Sequence, residues 1–153
     1  VSDKEALWRL SYREGEEADG REDETLMALR KRIELFHKVT EPVLDHYKHP
    51  HNHGFMEDAD VTQKGHNASC GDDLTLYLKW DKEVLQRITF EGFGCAISQS
   101  GASMLTDKVK GKTRAEVALL AESDMYELYG VEIGPSREKC AMLAIRTLKQ
   151  AIE

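Results

Sequence analysis

The sequence predicts an α+β fold, in which a three-stranded antiparallel sheet has helices packed on one face. Two observations carry that reading. Residues 72–80, "DDLTLYLKW", alternate Leu74, Leu76, Leu78 and Trp80 with Thr75, Tyr77 and Lys79, the period-2 mark of a strand with one buried face. Before and after this region, over about 25–48 and again from 96 onward, apolar residues recur at helical spacing instead. Three strands joined in succession by short turns make a meander, and a meander needs helices to cover its apolar face.

Composition narrows the function classes. With 153 residues, 41% hydrophobic and 32% charged, the chain is long enough for one domain with a real core. No apolar run approaches the roughly 18 residues of a membrane span, and "VSDKEALWRLSYREGEE" lacks the apolar segment of a signal peptide, so a soluble cytoplasmic protein with no membrane partner is expected. A formal charge of -7 argues against nucleic acid, whose binding needs clustered Lys and Arg. Proteins and metal ions are the expected partners. The three cysteines, Cys70, Cys95 and Cys140, are odd in number and far apart, which argues against a disulfide framework. The chain has no CxxC, CxxCH, HExxH or P-loop, so any metal site must be assembled by the fold.

The elements follow in order. Residues 1–12 suggest a short loose helix, and the acidic "REGEEADGREDE" at 13–24 has no apolar face, so 1–24 reads as an N-terminal extension or linker ahead of a single domain over 25–153. Leu26, Leu29, Ile33 and Phe36 give an amphipathic helix from Thr25. Thr40, Glu41 and Pro42 then suggest either a fresh helix start or a kinked continuation, carrying Val43, Leu44 and Tyr47 up to Pro50. After the loop "HPHNHGFMEDAD", strands are expected around 59–66, 72–80 and 84–91, with "WDKEVL" as the second turn. Beyond "FEGFGC" the pattern is helical through Ala96, Ile97, Ser100, Met104, Leu105 and Val109, with Gly111 at the C-terminal cap. Thr113 and Glu116 form a capping box for the next helix; Ser123 is expected to cap a short helix to Tyr129, and a long last helix starts near Ser136.

On this map Cys70 lies in the loop entering the second strand, Cys95 in the glycine-flanked turn leaving the third, and Cys140 in the first turns of the last helix. The start of one antiparallel strand lies beside the end of the next, so Cys70 and Cys95 are expected neighbours. Gly71, Gly92 and Gly94 leave room for backbone around an ion, and a helix N-terminus is expected to lower the pKa of Cys140. Asp72, expected at an exposed sheet end, supplies a fourth, harder ligand. Three thiolates and a carboxylate suit zinc or a small iron–sulfur cluster. All six histidines fall between 37 and 66, and the alternating ones in "HPHNH" read as an exposed loop rather than a metal site.

Four segments together resemble a known family: "YKHPHNHG", "NASCGD", "FEGFGCAISQSGASML" and "REKCAML" are similar to the U-type iron–sulfur scaffolds, which comprise IscU, SufU and the amino-terminal domain of NifU. The likeness covers about residues 43–153. It implies the IscU/SufU-like α+β fold and a shared site of Cys70, Asp72, Cys95 and Cys140 holding zinc or a 2Fe–2S cluster. It also implies a scaffold rather than an enzyme, which takes sulfur from a pyridoxal-phosphate cysteine desulfurase and passes a cluster to apo iron–sulfur proteins. The alternative is a SufU-type zinc-dependent sulfurtransferase that accepts persulfide and stimulates the desulfurase. Arg137, Lys139 and Cys140 give the Arg-x-Lys-Cys usual in SufU, whereas the short "ESDMYELYGVEIGPS" lacks the longer insertion usual there. Cys70 is the expected persulfide acceptor, with Cys140 as the rival; a metal, or Arg137 and Lys139, would favour the thiolate.

Overall fold

The structure, a computed structural model, describes residues 26–131 and 133–153. The loose helix expected over 1–12 and the acidic stretch 13–24 lie outside the described residues. The chain divides into two compact units, one ending at Glu41 and the other running from Pro42 to Glu153.

In the first unit, helix α1 (Leu26–Leu35) passes into a π-type segment, Phe36–Thr40. Glu41 keeps right-handed helical angles, and its N–H donates to the Phe36 carbonyl. The second unit begins within α2 (Glu41–Lys48). Pro42 accounts for the irregularity: it has no N–H to offer, its ring crowds the carbonyl one turn earlier, and a wider π turn ahead of it relieves the clash.

The second unit is built on β1 (Val61–Asn67), β2 (Asp72–Asp81) and β3 (Val84–Phe93), an antiparallel sheet in the order β1-β2-β3. Asn67 pairs with Asp72, and Asp73 with Phe93, so the start of β2 is flanked by the ends of both neighbours. A register shift at Lys79/Trp80 compensates for the short turn and puts Leu85, Ile88 and Phe90 on the same face as Leu74, Leu76, Leu78 and Trp80. The alternation is not strict on the other face. Tyr77 is buried there, with its hydroxyl on Glu91 Oε2 at 2.9 Å and Phe55 edge-on at 5.2 Å, because the loop after α2 folds over it.

Four helices follow: α3 (Ala96–Val109), α4 (Arg114–Leu119), α5 (Glu122–Tyr129) and α6 (Pro135–Ile152). Helix α6 packs on β1 and β2, and α3 on β3 and α6, so these two cover the apolar face. Between sheet and helices lie Leu76, Ile88, Phe90, Leu105, Met142 and Ile145, none more than 1% exposed. Burying each such side chain is worth about 1.5–3 kcal/mol before entropy is counted. The Thr113 hydroxyl accepts the Glu116 N–H and Glu116 accepts the Thr113 N–H, the reciprocal cap expected. Ser123 does not cap α5. The Asp124 carboxylate takes the Ala121 N–H at 2.8 Å instead, which starts the helix ahead of Ser123. Among the described residues, no helix is long and apolar enough to cross a membrane.

Candidate metal centre

The sheet's topology gathers one corner. The Asn67 carbonyl, at the end of β1, accepts the N–H groups of Cys70 at 3.2 Å and Gly71 at 2.8 Å, closing a turn between β1 and β2. Asn67 Oδ1 also accepts the Ser69 N–H at 3.2 Å, the local bonding that suits asparagine to this position. Gly71 has φ +71°, a left-handed conformation that a Cβ disfavours. The turn therefore presents Cys70 outward and Asp72 inward.

Asp72 is 1% exposed, not at an open sheet end as expected. Its Oδ1 accepts the Cys95 backbone N–H at 2.9 Å, and its Oδ2 accepts Asn67 Nδ2 at 3.2 Å. The carboxylate thus pegs the β3–α3 turn to the β1–β2 turn. Gly94 makes room for it, since a Cβ there would stand 2.7 Å from Asp72 Oδ1 and would collide with Ser98 Oγ. Cys95 is the N-cap residue of α3, and Ser98 Oγ donates to its carbonyl at 3.0 Å.

Cys140 comes from the second turn of α6 and is 1% exposed. The ligand atoms of Cys70, Asp72 and Cys140 all lie within 4.8 Å of one another, and the Cys140 thiol donates to Cys70 Sγ at 3.1 Å. Cys95, the remaining expected ligand, is not among these three: its sulfur does not lie within 4.8 Å of all of their ligand atoms, and its tie to the corner is its backbone N–H on Asp72 Oδ1. Exposure falls in steps from Cys70, which is open to solvent, through half-buried Cys95 to Cys140.

The expected lowering of the Cys140 pKa is reversed. Burial pushes the thiol well up, and hydrogen bonding with Cys70, Asp72 and Cys95 pushes it further. The helix N-terminus does not offset this, because its field fades within the first turn and Cys140 lies beyond it. Apart from the Asn67 amide, the groups that act on Cys140 are thus other acids. A bound cation is the counter-charge that such a corner favours, and soft sulfurs with one hard oxygen fit zinc or iron.

Lys139 Nζ donates to Ser69 Oγ at 3.2 Å, which holds a positive charge over the turn that carries Cys70. Arg137 is exposed in the first turn of α6. A groove of about 500 Å³ runs beside β1 and α6, lined in part by Lys64, His66, Lys139 and Arg146. His66 is hydrogen-bonded to Asp73 at 2.8 Å, one residue from Asp72.

Asn67 is a site residue that the ligand pattern of the sequence does not mark: its Nδ2 donates both to Asp72 Oδ2 and, at 3.4 Å, to Cys140 Sγ. The signal for it was local: an asparagine opening a turn three residues ahead of a cysteine.

The sequence and the fold both have known relatives. The "Iron-sulfur cluster assembly scaffold protein IscU" of Streptococcus pyogenes is 38% identical over 144 residues, 83% of this chain and 88% of that protein. The "Zinc-dependent sulfurtransferase SufU" of Bacillus subtilis is 34% identical over 127 residues, 72% of this chain and 86% of that protein. The crystal structure of a putative scaffold for the SUF system from Fervidobacterium islandicum superposes with a TM-score of 0.67 at 32% identity, covering 77% of this chain and 98% of the other. The profile of the NifU-like N-terminal domain matches residues 38–153, and the chain belongs to that family.

Proposed function

We propose that this chain is a scaffold on which a 2Fe–2S cluster is assembled, with sulfur delivered by a pyridoxal-phosphate cysteine desulfurase, and from which the cluster passes to apo-proteins. The observation that carries the reading is the step in exposure across one corner: an open Cys70 sulfur 3.1 Å from a buried Cys140 sulfur, beside the Asp72 carboxylate. An exposed thiol can meet a partner's persulfide, while buried ligands keep the product from solvent. Cys70, Asp72, Cys95 and Cys140 would hold the metal.

In sulfur acceptance, the Cys70 thiolate attacks the outer sulfur of the partner's persulfide. A new S–S bond forms to Cys70, the partner's S–S bond breaks, and the partner's cysteine leaves as thiolate; no electrons are gained or lost overall. Lys139 over the Cys70 turn, and Arg137 in the first turn of the same helix, place positive charge where the anionic persulfide of a partner would approach. Cys140 is the alternative acceptor, and its burial requires sulfur to reach it by way of Cys70. The scaffold reading assigns no catalytic turnover to the chain.

A second reading is a zinc-dependent sulfurtransferase that accepts persulfide and stimulates the desulfurase without holding a cluster. The Arg137-Glu138-Lys139-Cys140 segment and the likeness to the Bacillus subtilis protein favour it. Protein purified without oxygen and incubated with desulfurase, cysteine, iron(II) and a thiol reductant, which supplies the electrons that turn persulfide sulfur into sulfide beyond those given by iron(II), separates the two. A coloured product with bound iron and sulfide supports the scaffold. A colourless, zinc-loaded protein that raises desulfurase turnover supports the transferase, and neither result would remove both.

A further inference from the structure

The "HPHNH" segment is exposed at His49, His51 and His53, as expected of a loop, but it is not free of the fold. His51 Nδ1 lies 2.6 Å from Asp107 Oδ2, and the rings of His46 and His51 are 4.5 Å apart between centroids. His46, His51 and Asp107 each offer a ligand atom within 4.8 Å of the others. We infer that these three side chains form a second metal site, for a first-row divalent ion such as zinc or iron(II), separate from the cysteine corner.

The donor set is two imidazoles and one carboxylate. That set binds zinc in many sites and iron(II) where open coordination positions remain. Its ligands are oriented by partners of their own, as metal-binding histidines and carboxylates are. Ser103, fully buried on α3, places its Oγ 2.8 Å from His46 Nδ1 and accepts the His51 backbone N–H at 2.8 Å. When His46 Nδ1 donates its proton to that oxygen, the Nε2 lone pair is free to ligate. Asn52 Nδ2 donates to Asp107 Oδ1 at 2.8 Å, which leaves Oδ2 turned toward His51. The side chains of His51 and Asp107 are 52% and 43% exposed, so an ion has a path in from solvent.

The two sites sit at opposite ends of one helix. Cys95 caps the start of α3 and Asp107 lies in its last turn, roughly 18 Å further along the axis at 1.5 Å per residue. One ion cannot bridge them. The inference therefore stands independently of what the cysteine corner assembles.

Cobalt(II) is the probe, because thiolate ligands give it an intense charge-transfer band and imidazole or carboxylate ligands give only weak visible bands. Wild type should take up two equivalents, one with each signature. His51→Ala and Asp107→Asn should each weaken the second equivalent at least about tenfold and keep the thiolate band, while Asn52→Ala, which removes the Nδ2 bonds to Asp107 Oδ1 and Thr106 Oγ1 but no ligand, should weaken it by about tenfold. Cys70→Ala should show the reverse pattern, losing thiolate intensity and keeping the weak-band equivalent. The inference is overturned if wild type takes up only the thiolate-type equivalent. It is also overturned if His51→Ala and Asp107→Asn lower the melting temperature but leave two equivalents bound, since the cluster would then be a hydrogen-bonded pin between the loop and α3.

Discussion

Asp72 Oδ1 accepts the backbone N–H of Cys95 at 2.9 Å, so the carboxylate proposed as the hard ligand also holds the turn that carries a proposed soft one. Its two roles cannot be removed separately by Asp72→Ala. That variant strands a part-buried N–H, which costs about 1–3 kcal/mol, and lets the Cys95 turn drift. Denaturant unfolding should show the loss, and cluster transfer to an apo-ferredoxin should be slower or incomplete at equal metal loading. A variant that loses stability but transfers the cluster at the wild-type rate would reduce Asp72 to a turn residue.

Asn67 joins three elements through one side chain, with Nδ2 on Asp72 and Cys140 and Oδ1 on the Ser69 N–H. Asn67→Ala should lower zinc affinity about 10–100-fold, the usual effect of losing a group that orients ligands. Competition against a chromophoric chelator measures this directly. Asn67→Asp should be worse than Ala, because it adds a negative charge to a corner already made of acids.

Sulfur should arrive first at Cys70. After a short incubation with desulfurase and cysteine, mass spectrometry should find the added sulfur on Cys70 in wild type. Cys140→Ser should still be labelled there, whereas Cys70→Ser should lose nearly all label, because Cys140 is 1% exposed. Label on Cys140 in the Cys70→Ser protein would make Cys140 the direct acceptor.

Metal uptake should release protons. Burial and the neighbouring acids hold the Cys140 thiol protonated across the neutral range, and a metal takes the thiolate. The apparent zinc affinity should therefore rise with pH, by about tenfold per pH unit for each proton displaced, and fall as pH drops. Calorimetry in buffers of different ionisation enthalpy counts those protons; a count of zero would mean that Cys140 does not ligate.

Much of the corner was legible from the sequence because its logic is topological. Period-2 alternation located β2, short turns made its neighbours antiparallel, and that pairing brings Cys70 and Cys95 to one end whatever the details of packing. What pattern does not carry is depth. Asp72 falls on the inward side of a turn whose left-handed Gly71 sets the direction, and nothing in "SCGDD" distinguishes it from its exposed reading. The same limit hid the raised Cys140 thiol: its place near a helix start suggested activation, but the helix buries it among other acids. Caps were readable where both partners are side chains with the right spacing, as at Thr113 and Glu116. At Ala121 the N-cap residue contributes only its N–H, so Ser123 stood out in its place.

The most direct test of the central claim, that Cys70, Asp72, Cys95 and Cys140 share one metal, is X-ray absorption at the zinc edge on His51→Ala protein loaded with a single equivalent. The variant keeps the second site from contributing nitrogen scattering. The account predicts three sulfur neighbours at about 2.3 Å and one oxygen at about 2.0–2.2 Å. A shell of nitrogen and oxygen only, or one with fewer than three sulfurs, would contradict it.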